Sequence, residues 1–224
     1  MSPKVRLGQD RAFFSSGSAI STRVKICGIT EPEDAALATE CGADAVGLVF
    51  APSPRQVTTA QAAEVLKAVG PFVTAVALFV DAEADFMRRV CGELRIATVQ
   101  LHGRETPETV RALRPLKVIK ALRVGSADDL VGMERYQADG YLLDARVPGN
   151  VGGTGKTFDW TLAVEPARRL PVILAGGLTP DNVTEAVRRV RPYGVDVSSG
   201  VESSPGRKDP HKVRDFVANA RSAG

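Results

Sequence analysis

The chain is poor in the residues that build metal sites, cross-links and stacking surfaces. It has two histidines and three cysteines in 224 residues. Cys27, Cys41 and Cys91 stand 14 and 50 residues apart, so no zinc-ligand spacing exists and the odd, scattered count gives no disulfide framework. Such usage fits a reducing compartment, and a cytoplasmic location is expected. Aromatic residues make up 5% of the chain, too few for a base-stacking surface. No apolar run approaches the ~20 residues needed to span a bilayer. Excess charge is scarce as well. The formal net charge is +3, but residues 1–22 hold Lys4, Arg6 and Arg11 against Asp10, which leaves +1 for the remainder. A nearly neutral body carries no nucleic-acid footprint. Neither nucleic acid nor a membrane is therefore expected as a partner.

What is present is a chain long enough to bury roughly 70% of its extended surface in one core. Residues 1–22 have five serines and no periodicity, and are expected to form a flexible N-terminal extension or to reflect an over-long start. From Val24 onward, apolar runs at 24–27, 45–50, 73–80, 97–101, 116–121, 140–144, 171–175 and 194–198 predict strands. Helical patterns near 32–41, 58–69, 82–91, 105–114, 126–135, 158–169, 180–190 and 209–221 alternate with them. Runs such as Ala45-Val46-Gly47-Leu48-Val49-Phe50 are apolar almost throughout, as suits a parallel sheet covered on both faces. Thr30, with Glu33 and Pro32, predicts a capping box for the first helix. Thr58 or Thr59 caps the second, Thr179-Pro180-Asp181 opens the seventh, and Gly42, Gly70 and Gly92 act as stops. Eight strand–helix units over 23–224 predict a single (β/α)8 barrel, with an open doubly wound sheet as the alternative because the pattern does not show closure.

In a barrel, chemistry collects on the loops at the carboxyl ends of the strands. Those positions hold Cys27-Gly28, the loop through Pro54-Arg55, Asp81, Gln100 and His102, Asp144, Gly176-Gly177, and Asp196 through Ser199-Gly200. Cys27 is either a small buried hydrophobe or a thiol activated by the helix N-terminus that follows it. Asp144, leaving the apolar Tyr141-Leu142-Leu143, is either ion-paired or catalytic. Arg55 is either a surface arginine or a bidentate partner for a carboxylate. Gly176-Gly177 and Ser199-Gly200 let backbone amides approach an anion after the seventh and eighth strands, where barrels often bind phosphate. Gly152 through Thr157 imitates a nucleotide-binding loop, but the pattern requires glycine where Asn150 stands. That glycine-rich stretch is expected instead to be a long loop able to close over a substrate.

The segments Lys25-Ile26-Cys27-Gly28-Ile29-Thr30, Val99-Gln100-Leu101-His102-Gly103, Leu142-Leu143-Asp144, Gly152 through Trp160, Ala175-Gly176-Gly177-Leu178 and Asp196 through Glu202 occur in order. Together they resemble phosphoribosylanthranilate isomerase of tryptophan biosynthesis, from about Arg23 to the end. The resemblance implies a small phosphoribosyl substrate, no cofactor or metal, and an Amadori rearrangement. It assigns Asp144 as general acid and Cys27 as general base, and Arg55 to the anthranilate carboxylate. Asp196 is expected to orient ribose hydroxyls, with Gln100 and His102 lining the pocket. A base role implies that the Cys27 thiol lies below its ordinary pKa of about 8.5. Another phosphosugar barrel enzyme and a non-catalytic phosphate-binding barrel are the alternatives. Monomer and homodimer both fit the pattern.

Overall fold

The structure, a computed structural model, describes residues 21–145 and 159–224. Residues 1–20 of the expected extension and the Gly152–Thr157 stretch lie outside the described residues. Eight parallel strands close into a barrel in chain order: β1 Arg23–Cys27, β2 Ala45–Val49, β3 Thr74–Phe79, β4 Thr98–Leu101, β5 Lys117–Val124, β6 Gly140–Ala145, β7 Val172–Leu174 and β8 Gly194–Val197. The ring shuts where β1 pairs with β8, Lys25 opposite Asp196. Closure excludes the open sheet.

Helices α1 Pro32–Glu40, α2 Thr59–Lys67, α3 Ala84–Leu94, α4 Pro107–Ala112, α5 Thr161–Arg169, α6 Val183–Val190 and α7 Pro210–Ser222 cover the outside. Every residue of β6 is buried, because one face meets helices and the other the barrel interior. Alternation decides which side chains go where. Tyr141 and Leu143 join the large outer cluster, whereas Leu142 packs in a separate inner cluster with Ala121, Ile173 and Ala175. Asp144 shares the parity of Leu142 and so faces inward. The same parity turns Lys25 and Cys27 inward from β1, Gln100 from β4 and Asp196 from β8, while their neighbours Ile26, Val99, Leu101 and Val195 pack outward. Truncating a fully buried outer residue such as Leu143 to alanine removes about 2–5 kcal/mol of stability.

Local chemistry departs from the sequence expectation at several element ends. Thr30 does not cap α1. Its hydroxyl donates to the Gly206 carbonyl at 2.7 Å, and the N-cap position belongs to Glu31, whose side chain makes no capping bond. Thr58 does cap α2, in a capping box with Gln61. Gly92 is no stop: α3 runs through it to Leu94 and ends on Arg95 in the left-handed region. The 126–135 stretch forms two short 3-10 turns, Ala127–Leu130 and Met133–Tyr136, because left-handed Gly132 separates them. α6 begins at Val183, after the expected Thr179-Pro180-Asp181 opening. Its N-cap Asn182 accepts from the Thr179 amide at 2.8 Å and donates to the Gly177 carbonyl at 2.9 Å. A hairpin that periodicity did not signal, β9 Glu202–Ser204 and β10 Arg207–Lys208, follows a 3-10 turn at Ser199–Val201.

Candidate active site

A cleft of about 140 Å³ opens at the carboxyl ends of the strands. A cavity needs roughly 10–15 Å³ to hold one water, so this one suits a small organic ligand. Cys27 from β1, Gln100 from β4, Asp144 from β6 and Asp196 from β8 all line it. Loop residues His102, Arg55, Gly176, Gly177, Ser199 and Gly200 complete its rim. The ten residues given roles in the sequence reading therefore reach one cleft, whereas Asp81 does not line it: its amide donates to Glu105 Oε1 at 3.0 Å and its carboxylate accepts from the Arg104 amide.

The Asp144 wall is a relay of hydrogen bonds. Gln100 Nε2 lies 3.0 Å from His102 Nδ1, and His102 Nε2 lies 3.2 Å from Asp144 Oδ2. With the amide donating to Nδ1, a neutral His102 carries its hydrogen on Nε2 and donates it to Asp144. Gly176 fits beneath the carboxyl at φ +80°, where a Cβ would stand 2.7 Å from Asp144 Oδ1. No side chain other than hydrogen fits that approach without displacing the acid.

The Cys27 wall is ionic. Lys25 Nζ donates to Asp196 Oδ1 at 2.8 Å, both side chains buried. The expected ribose contact of Asp196 therefore shares this carboxylate with a lysine. Lys208 Nζ, fully buried, donates to the Cys27 carbonyl at 2.7 Å and to Glu202 Oε1 at 2.8 Å. Glu202 in turn accepts Arg55 Nε and Nη2, both at 2.7 Å. The bidentate partner of Arg55 in this structure is thus Glu202, which leaves three of its five N–H donors for a ligand carboxylate. Burial alone would push the Glu202 carboxyl up, but Arg55 and Lys208 hold it below the ordinary carboxylate value.

The thiol runs against the expectation of a lowered pKa. Burial pushes the Cys27 thiol up, and the adjacent Asp196 carboxylate adds to this; Lys25 and Lys208 pull it down without prevailing. Desolvation of the charged form outweighs the help available from the start of α1.

Where the sequence led to the expectation of a phosphate site, Gly176-Gly177 and the Ser199–Val201 turn stand side by side after β7 and β8. Asn182 ties the first of these loops down through Gly177. Ser198 Oγ is buried there without a hydrogen-bond partner among the described residues. No group of three or more histidine, cysteine, aspartate or glutamate side chains among the described residues could hold a metal ion. No described helix is long and apolar enough to cross a membrane.

Lys25, Glu202 and Lys208 had no role in the sequence reading. Lys25 was accessible to it, being two residues from Cys27 on the same strand face. Glu202 and Lys208 were not, because the hairpin that returns them over β1 is signalled only by its Pro205-Gly206 turn.

The family model for N-(5'phosphoribosyl)anthranilate (PRA) isomerase matches residues 24–219. A relative named N-(5'-phosphoribosyl)anthranilate isomerase from Geotalea uraniireducens is 53% identical over 201 residues, covering 89% of this chain and 98% of that protein. The crystal structure of phosphoribosyl anthranilate isomerase from Thermotoga maritima superposes with a TM-score of 0.85 at 42% identity, covering 90% of this chain and 99% of that one. A second such structure, in complex with reduced 1-(o-carboxyphenylamino)-1-deoxyribulose 5-phosphate, gives a TM-score of 0.81 at 40% identity, with 90% and 99% covered. With the closed barrel and the composition of its cleft, these matches place the chain in the phosphoribosylanthranilate isomerase family.

Proposed function

We propose that the cleft converts N-(5-phosphoribosyl)anthranilate into 1-(2-carboxyphenylamino)-1-deoxyribulose 5-phosphate, a step of tryptophan biosynthesis, with Asp144 as general acid and Cys27 as general base. The observation that carries the assignment of roles is that an inward carboxyl on β6 and an inward thiol on β1 line one small cleft. The reaction needs one group of each kind. Asp144 gives a proton to the furanose ring oxygen, the ring C–O bond breaks, and the anilinic nitrogen supplies the electrons that form the Schiff base. The Cys27 thiolate then takes the C2 proton, and the C2–H electron pair becomes the enolamine double bond that tautomerises to the ketone. His102, held by Gln100, fixes the orientation of the carboxyl. Arg55 presents its outer donors to the anthranilate carboxylate while Glu202 fixes its inner edge. The glycine pair after β7 and Ser199-Gly200 after β8 support a phosphate at the other end of the ligand.

The test is the loss of fluorescence of phosphoribosylanthranilate on addition of the purified chain, with a chelator present. Turnover under those conditions is the expected result. Absence of turnover in a folded sample would overturn the proposal.

A further inference from the structure

The interior of a barrel is an expensive place for an ammonium group, and Lys25 occupies it with a side chain only 5% exposed. Strand register explains how it got there. Lys25 stands opposite Asp196 across the β1–β8 seam, and Cys27, two residues on, shares its face and stands opposite Gly47 on β2. Gly47 shows how close the thiol and the ammonium are. A Cβ built there would lie 2.7 Å from Cys27 Sγ and 3.0 Å from Lys25 Nζ, so both atoms press on the same hydrogen-sized gap.

Lys120 gives a useful contrast. It is equally buried but faces outward, bonded to Glu105 and to the Leu101 and Gly103 carbonyls under the helical layer. Those partners account for its three donors. Lys25 has one hydrogen bond, to Asp196, with the Cys27 sulfur beside it.

We propose that Lys25, anchored on Asp196, is a positioning residue that supplies the counter-charge for the Cys27 thiolate. The proposal rests on the assignment of Cys27 as the base. A barrel interior that buries the thiol would otherwise keep it protonated, so the base exists because an ammonium is fixed beside it. Other charged groups face the thiol as well. Asp196 on β8 opposes ionisation directly and assists it by holding the lysine. Lys208 on β10 assists through its contact with the Cys27 carbonyl, and Arg55, from the loop after β2, is neutralised by Glu202. Burial works against the charge on Lys25, but Asp196 and the thiolate outweigh it and keep the ammonium protonated well above the ordinary lysine range.

The experiment is the pH dependence of alkylation by iodoacetamide, followed by mass mapping at Cys27. The thiolate displaces iodide, forming the C–S bond, so the midpoint of the rate profile reports ionisation without any substrate. Lys25→Met is expected to move that midpoint up by roughly one unit or more, the usual effect of an opposite charge at this range. Asp196→Asn, whose side-chain oxygen still accepts from the ammonium while the opposing negative charge is gone, is expected to move it down. Circular dichroism establishes that each variant is folded, and the asparagine variant keeps the test alive should the methionine variant fail to fold. An unmoved midpoint in Lys25→Met, or an upward shift in Asp196→Asn, would overturn the proposal. Because substrate is absent, these results stand apart from the base assignment, which fails instead if Cys27→Ala retains turnover.

Discussion

Cys27 and Asp144 share one cleft, yet they sit in opposite kinds of surroundings. The thiol is ringed by buried ion pairs, Lys25 with Asp196 and Lys208 with Glu202, with Arg55 joined to the latter. The carboxyl meets a histidine and, through it, an amide. On the proposed roles, the difference matches the form in which each group would work. A base acts as an anion, and an anion in a desolvated interior needs compensating charge. The proposed acid needs its carboxyl aimed at the ring oxygen, and His102, held by Gln100, orients it.

The largest way to break this contrast is to remove one of the two groups proposed to react. Asp144→Ala should lower kcat by the ~10²–10⁴-fold typical of a lost general acid, with an unchanged circular dichroism spectrum. Turnover near normal would take Asp144 out of the mechanism.

Breaking the ionic wall comes next. Glu202→Ala strands Lys208 in the interior and frees Arg55, which should cost about 3–5 kcal/mol in denaturant unfolding and raise KM. Arg55→Ala on its own should chiefly raise KM, and an unchanged KM would dismiss the carboxylate contact. The depressed Glu202 carboxyl gives this pair a pH window. Its stabilisation is present above the unfolded glutamate value of about 4.3 and is lost as pH falls through the lower folded value. Acid unfolding of Glu202→Gln should therefore show a flatter pH dependence than the parent.

Gly47→Ala tests the packing within the ionic wall. The added methyl collides with Sγ and crowds Nζ, and about 1–3 kcal/mol of destabilisation is expected from thermal unfolding.

The smallest effect is a displacement rather than a loss. Burial raises the Cys27 thiol, so kcat/KM should still be climbing with pH beyond the ordinary thiol value of about 8.5. A profile already flat by pH 8 would show that the cationic neighbours outweigh burial.

The sequence carried the barrel because short apolar runs alternate with helical patterns eight times, and all eight predicted strands overlap observed ones. It also located the cleft, since Cys27, Gln100, Asp144 and Asp196 sit at strand ends with inward parity. The partners of those residues were hidden. Arg55 meets Glu202 across 147 positions, and Lys25 meets Asp196 across 171, pairings fixed only when the barrel closes. The cap at Thr30 failed for the same reason: its hydroxyl has a better partner in Gly206, far along the chain. Activation of the thiol by α1 was a local inference, and burial by the whole barrel overrode it.

Turnover of Cys27→Ala is the most direct measurement. A folded variant with kcat lowered ~10²–10⁴-fold and KM little changed is the expected result for a lost general base. A folded variant that isomerises the substrate at close to the parental rate would contradict the assignment of proton removal at C2 to this sulfur.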